Sequence, residues 1–483
     1  MKNEKRPLQD WAKKWPKRNE SVGEKEDSQA RPETNEVITE EQELSERVRE
    51  WAERINTIGG DYNNAYNFIA PSGRDGRDII EERQEFLNEQ HYTPVFTYKK
   101  LEKEDFKEPL KKLQEIRQEL KDEEKNEQAK KILQEVIDNV EAKMMFLKAS
   151  KEGDDDKAFE WAKIAYGDID DELVEYAEKT HVDKVEENAK KKSKLETYLR
   201  KSENSPEDAK YVFEEGLRAL EVPMYDPEKG TEGWEVFIDH TKLGVSVEYA
   251  SKEYPRPTVV VGGKTEVRTG FNVLELLAHE VGTHVRTNQN SENSGLRGTI
   301  FGRDYEVFQE GIALLAEKEF IKDVIGVDTN PATPFAVLAM NQVKQGKNFR
   351  ETFNFIREKW LEHNRAEKQG LEEEMTPEKE AKLQNDTNKD AWGTCQRTFR
   401  GFHDLSKGGK YYPKDKAYLQ GFKEVQVLAE HGLEEYLVEH KADATVIQQL
   451  LDLRLKPKDK VELKKVAQKI FADSIKWFFE GKE

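Results

Sequence analysis

The sequence predicts an α+β protein that is predominantly helical, with a small sheet beside a helix that carries two histidines. Charged residues make up 37% of the 483 residues and hydrophobic residues 35%, a balance typical of helices with long solvated faces. Apolar residues recur at helical spacing over most of the chain. Three short segments of alternating or continuous apolar residues precede the histidine-bearing helix and predict strands.

Composition excludes several classes of function. The net charge of −19 argues against a nucleic-acid partner and against anionic membrane surfaces. No apolar run approaches the roughly 18 residues of a membrane span, and Met1–Asp10 lacks the apolar core of a secretory signal. Cys395 is the single cysteine, so no internal disulfide can form. We therefore expect a cytoplasmic protein.

Three regions follow from changes in composition along the chain. Residues 1–40 are rich in Lys, Glu, Asn, Pro and Ser and predict a disordered charged tail. Residues 41–200 predict a helical N-terminal region. The polar segment Lys201–Pro206 is the best candidate boundary, and residues 201–483 form the predicted catalytic domain, which ends in a helix containing Phe471 and Phe478.

The elements around the histidines can be predicted in order. Asn272 and Glu275 resemble a capping box at the start of the histidine helix. That helix is predicted to end near Arg286, and a polar loop, Thr287–Gly298, to follow it. The predicted strands contain Trp234, Val236 and Ile238; Val245, Val247 and Tyr249; and Thr258–Val261.

The segment His279-Glu280-Val-Gly-Thr-His284 carries the most informative pattern. Neutral imidazoles bind zinc, but residues five apart lie about 140° from each other on a regular α-helix. One metal ion can bind both rings only if the turn widens, as in a π-bulge, which Gly282 makes easier. The pattern therefore indicates either a zinc site on a widened turn or a chance pair of histidines in a buried helix.

A catalytic zinc usually has three protein ligands, so a third is needed. Glu310, in a predicted helix from Tyr305 to Lys322, is the best candidate, and Gly311 beside it would allow two helices to approach closely. Glu306 and Glu317 lie on roughly the same face and compete with it. Glu280 follows the first histidine, and we expect its carboxylate to take a proton from a zinc-bound water.

These motifs resemble the family of microtubule-associated tyrosine carboxypeptidases and bacterial QEGLA-motif proteins, with Ile312 where the bacterial motif has Leu. The resemblance rests on the HExxxH segment and on four further stretches. These are Thr93–Tyr98, Gln309–Ala313, Phe399–Gly401, and Lys414-Asp415 with Tyr418, Leu419 and Gly421.

The resemblance implies a zincin-like zinc metallocarboxypeptidase that hydrolyses the C-terminal peptide bond of a peptide or protein. It makes His279, His284 and Glu310 the zinc ligands and Glu280 the base. Eukaryotic members of the family release the terminal tyrosine of α-tubulin. Two other functions remain open: a zinc endopeptidase, and a regulatory or scaffolding protein that keeps the metal site without turnover.

A carboxypeptidase needs a cation for the substrate carboxylate and a donor for the oxyanion. The basic and aromatic stretch from Cys395 to Tyr418 offers Arg397, Arg400 and Lys414 for substrate binding and Tyr418 for catalysis. Arg400 and Tyr418 are the preferred candidates.

Overall fold

The structure is a computed structural model that describes residues 40–59, 62, 68–98, 106–190, 192–248, 254–265, 267–296, 299–302, 304–431, 434–444 and 446. Residues 1–39 of the predicted tail, and the predicted C-terminal helix with Phe471 and Phe478, lie outside the described residues.

The described residues are predominantly helical, as the sequence predicts, with one small sheet. The helices before the sheet are α1 (Glu40–Gly59), α2 (Ile79–Asn88), α3 (Lys107–Glu123), α4 (Glu127–Glu152), α5 (Asp155–Tyr166), α6 (Asp171–Asn188), α7 (Lys194–Lys201) and α8 (Pro206–Ala219). After the sheet come α9 (Gly270–Leu276), a π-helical segment (Leu277–Val285), α10 (Arg286–Asn293), α11 (Tyr305–Ile325), α12 (Phe335–Lys344), α13 (Phe349–Gly370), α14 (Pro377–Thr398), α15 (Lys416–Ala429) and a 3₁₀ turn (Glu434–Val438).

The sheet is mixed and has the order β1-β3-β2, with β1 at Glu235–Asp239, β2 at Val245–Glu248 and β3 at Thr258–Gly262. Strand β3 runs parallel to β1 and antiparallel to β2. All five residues of β3 are buried, which explains its continuous apolar sequence. The three predicted strands are confirmed, although Tyr249 lies outside the described residues.

Two local predictions near the histidines are wrong. The helix begins at Gly270, where the side chain of Thr269 accepts a hydrogen bond from the backbone N–H of Asn272, so Asn272 is not the cap. The first part of the predicted polar loop, from Thr287 to Asn293, is instead helix α10. Two of its buried polar side chains find hydrogen bonds inside the protein: the Nδ2 of Asn290 donates to the carbonyl of Val438, and the Oγ of Ser291 donates to the carbonyl of Leu296.

Two hydrophobic cores organise the described part of the chain. The first packs helices α1–α6 against α11–α15, and the second packs α7, α8 and the sheet against α9 and the π-helical segment. Helix α11 belongs to both, because Phe308 and Leu315 enter the first core and Phe320 and Val324 enter the second. Contacts with both cores therefore fix the position of α11.

Helices α11 and α15 approach so closely that their backbones touch. A Cβ atom on Gly421 would overlap the carbonyl oxygen of Val307, and one on Gly311 would overlap the backbone of Gly421. The predicted close approach at Gly311 is confirmed, with α15 as the partner. This contact brings Tyr418, one turn before Gly421, towards the carboxylates of α11.

Because of this contact, we expect Gly421→Ala to lower the free energy of unfolding by about 3 kcal/mol, the upper end of the usual cost of overpacking. Gly393→Ala is the matched control, because among the described residues the nearest atom that its Cβ would meet is the Nη1 of Arg397, 3.8 Å away. The control should be neutral or stabilising by about 0.5–1 kcal/mol, as for an ordinary helical glycine. Urea denaturation measures both, and equal effects would contradict the assigned contact.

Candidate functional site

The segment Leu277–Val285 is a π-helix between α9 and α10, and it contains both histidines. Its hydrogen bonds join residues five apart, so side chains five apart lie nearly above one another. The rings of His279 and His284 have their centroids 5.0 Å apart. The predicted widening of the turn is therefore confirmed.

Glu310 on α11 faces both imidazoles. Its Oε2 lies 3.3 Å from the Nε2 of His279 and 3.9 Å from the Nε2 of His284. Ligand atoms about 2.1 Å from a tetrahedral ion are about 3.4 Å from one another. Within the described part of the chain, His279, His284 and Glu310 are the one His/Cys/Asp/Glu group placed to hold a metal ion.

The protonation states of His284 and Glu310 suit a cation between them. Burial opposes the charged form of His279, but hydrogen bonds to Glu310 and Glu317 raise its pKa well above its ordinary value, so a metal ion must displace a proton from this ring. Burial lowers the pKa of His284 to about 4, which keeps its ring neutral and its lone pair free for a metal. Burial opposes the charged form of Glu310, but chiefly its hydrogen bond with His279 lowers its pKa to about 2. A neutral imidazole and an ionised carboxylate are the protonation states that metal ligands require.

The two competing carboxylates have other partners. Glu317, two turns after Glu310, contacts the Nδ1 of His279 at 2.6 Å, on the far side of the ring from Glu310. Glu306 forms an ion pair of 2.7 Å with the fully buried Lys143 of α4. Glu317 therefore orients His279, as carboxylates commonly orient metal-binding histidines.

Glu280 is buried beside the first histidine. Burial raises its pKa to about 8, while the positive charge of His279 acts in the opposite direction. A bound cation at His279 and His284 would add to the second effect and favour the ionised form. The carboxylate is therefore placed to exchange a proton next to the candidate metal centre.

All the residues that the sequence analysis selected line one cavity of about 840 Å³. The structure thus brings together segments from three distant parts of the chain. The eight predicted residues on this cavity are His279, Glu280, His284, Glu310, Arg397, Arg400, Lys414 and Tyr418.

The three predicted cationic residues of the cavity, Arg397, Arg400 and Lys414, differ in their contacts. Arg397 forms an ion pair with Asp415, with Nε and Oδ2 2.9 Å apart. The charge of Lys414 contributes to the lowered pKa of Glu310, so it lies near the metal ligands. The Nε of Arg400 is buried and finds no hydrogen-bond partner within the described part of the protein.

Tyr418 lies close to the carboxylates. The negative charge of Glu310, followed by burial, raises the pKa of Tyr418 well above its ordinary value. Its hydroxyl group therefore keeps its proton and is a hydrogen-bond donor.

Sequence reasoning missed several residues on the cavity. Asn288 lies one turn after His284 and is buried, and among the described residues neither polar atom of its amide has a hydrogen-bond partner. Its position four residues after His284 on the same helix was a signal from which its place beside the candidate metal site could have been predicted. Lys184, Arg200 and Glu275 also line the cavity. Glu275 was predicted to cap the helix, and no local signal marked Lys184 or Arg200.

No helix in the part of the chain that the structure describes combines the length and apolar character needed to cross a membrane.

If Glu317 orients His279, Glu317→Gln should weaken metal binding by about 10–100-fold, because the amide is a poorer acceptor than the carboxylate. Competition with a chromophoric chelator measures this affinity. Glu319→Gln, on an exposed residue of the same helix, is the control and should bind metal like the wild type. Equal affinity in the two variants would remove Glu317 from the site.

This chain matches a known protein family. The microtubule-associated tyrosine carboxypeptidase family matches residues 84–369, more than half of the chain. The matched residues include His279, His284 and Glu310, whereas Arg400 and Tyr418 lie beyond them. No curated protein matches this sequence. The extent of the family match places this chain in the microtubule-associated tyrosine carboxypeptidase family.

Proposed function

We propose that this protein is a zinc-dependent carboxypeptidase that removes a residue from the C-terminus of a peptide or protein. The main support for the proposal is that three kinds of group line the same cavity. They are the candidate metal ligands His279, His284 and Glu310, the buried carboxylate of Glu280, and Arg400, whose Nε has no hydrogen-bond partner among the described residues. Family membership supports the carboxypeptidase activity, since the family is described by that activity. We further propose that residues 201–483 act as a zincin-like catalytic domain.

His279, His284 and Glu310 would hold the zinc ion. Two nitrogens and one carboxylate oxygen form a ligand set that zinc favours, and three ligands leave a position open for water or substrate. When bound, zinc makes water more acidic and polarises a carbonyl group. Glu317 keeps His279 turned so that its Nε2 faces this position.

The remaining steps belong to side chains of the cavity. The carboxylate of Glu280 takes a proton from the attacking water and then delivers it to the nitrogen of the leaving residue. The hydroxyl of Tyr418 donates a hydrogen bond to the oxygen on which negative charge develops. Its protonated state and its position near Glu310 support this role.

Arg400 is the proposed binding group for the terminal carboxylate. A guanidinium group binds a carboxylate through two parallel hydrogen bonds, and a buried unpartnered Nε makes such a ligand favourable. Arg397 is already paired with Asp415 and would add charge rather than direct contact. Lys414 lies closer to Glu310, where a cation would also attract the negatively charged end of the substrate.

Glu280→Gln should retain about one zinc per chain and lose at least about a hundredfold in turnover, because the amide cannot accept the proton. Zinc content by mass spectrometry and peptide hydrolysis check the two halves of this expectation. His284→Ala is the metal-free reference, and Glu292→Gln, exposed on the continuing helix α10, is the control. A fully active Glu280→Gln enzyme would refute the assignment of the base.

A second measurement separates exopeptidase from endopeptidase activity. Peptides of identical sequence with free and amidated C-termini are compared by mass spectrometry of the products. We expect a much higher kcat/KM for the free form than for the amidated form, with loss of one residue, because the amide cannot pair with Arg400 as an ion. Equal cleavage of both forms would exclude a carboxypeptidase, and internal cleavage would favour an endopeptidase.

A further inference from the structure

The hydroxyl group of Tyr98 joins two segments that are far apart in the chain. It accepts a hydrogen bond from the backbone N–H of Gly401 at 2.9 Å and donates one to the carbonyl oxygen of Phe402 at 3.1 Å. Tyr98 is buried, and burial raises the pKa of its phenol, so the hydroxyl keeps the proton that it donates. The backbone immediately after Arg400 is therefore fixed by a side chain from before helix α3.

The same turn is constrained at two further points. Gly401 has a φ of +87°, and a Cβ atom there would lie 2.7 Å from the Cζ of Phe146 on α4. Asp155, at the start of α5, accepts hydrogen bonds from the backbone N–H groups of His403 and Asp404 at 3.1 and 3.0 Å. The position of this turn thus depends on the N-terminal helices and not on α14 alone.

We propose that Tyr98 is a positioning residue for Arg400 and thereby sets the preference of the enzyme for a free substrate carboxylate. The inference rests on the proposed function, in which Arg400 binds that carboxylate. Bidentate pairing requires the guanidinium plane to be held in place, and small displacements of a binding group weaken it strongly. Without the hydroxyl, a buried N–H and a buried carbonyl lose their partner, so the turn must shift to satisfy them.

Tyr98→Phe tests the proposal, because it removes the hydroxyl and keeps the buried ring. Its control is Tyr411→Phe, another buried tyrosine, whose hydroxyl donates to Asp168 and does not touch the Arg400 turn. We expect KM for peptides with a free C-terminus to rise about tenfold in Tyr98→Phe, with kcat and zinc content nearly unchanged. The ratio of kcat/KM between free and amidated peptides should fall by the same factor, and in Tyr411→Phe it should stay at the wild-type value.

A double-mutant cycle shows whether the effect passes through Arg400. In an Arg400→Ala background, Tyr98→Phe should leave the free-to-amidated ratio unchanged. A further fall in that background would overturn the proposal, as would an equal loss for both peptides in the single variant. Gly401→Ala disturbs the same turn from its other side and should reproduce the effect if Tyr98→Phe folds poorly.

The outcomes also separate this inference from the proposed function. A wild-type enzyme that does not distinguish free from amidated peptides would overturn the carboxypeptidase assignment, and the role of Tyr98 with it. A wild-type enzyme that distinguishes them, with an unchanged ratio in both Tyr98→Phe and Gly401→Ala, would overturn the role of Tyr98 alone.

Discussion

The hydrogen bonding of the segment Leu277–Val285 is the constraint on which the candidate metal centre depends. On a regular α-helix His279 and His284 would diverge by about 140°, and no single ion could reach both. The π-helical backbone places them on one side. The distorted segment is held by burial, because Leu277, Val281 and Val285 all pack into the second hydrophobic core.

Helix α11 completes the site because contacts near both of its ends fix its position. Its two ends pack into different hydrophobic cores. Gly311 contacts Gly421 of α15, and Glu306 forms an ion pair with the buried Lys143. Glu310 and Glu317 lie two turns apart between these anchors. They reach the two nitrogens of His279 from opposite sides, which leaves the ring little freedom to rotate.

The N-terminal helices contribute to the site although none of the predicted catalytic residues lies on them. Lys143 of α4 forms an ion pair with Glu306 of α11. Tyr98, Phe146 and Asp155 contact the turn after Arg400. The first core is continuous between these helices and α11–α15. A boundary near residue 201 stays a prediction, and both sides of it supply groups that shape the cavity.

The sequence by itself predicted the candidate metal ligands His279, His284 and Glu310, the need for a widened turn and the strands before the helix. These follow from local spacing and from the chemistry of zinc ligands, which are visible in a single sequence. Only the tertiary structure decided that Glu317 supports His279, that Asn288 is buried on a helix where a loop was predicted, and that Tyr98 holds the Arg400 turn. Such contacts join residues up to about 300 positions apart, and they depend on how helices pack, which no local pattern encodes.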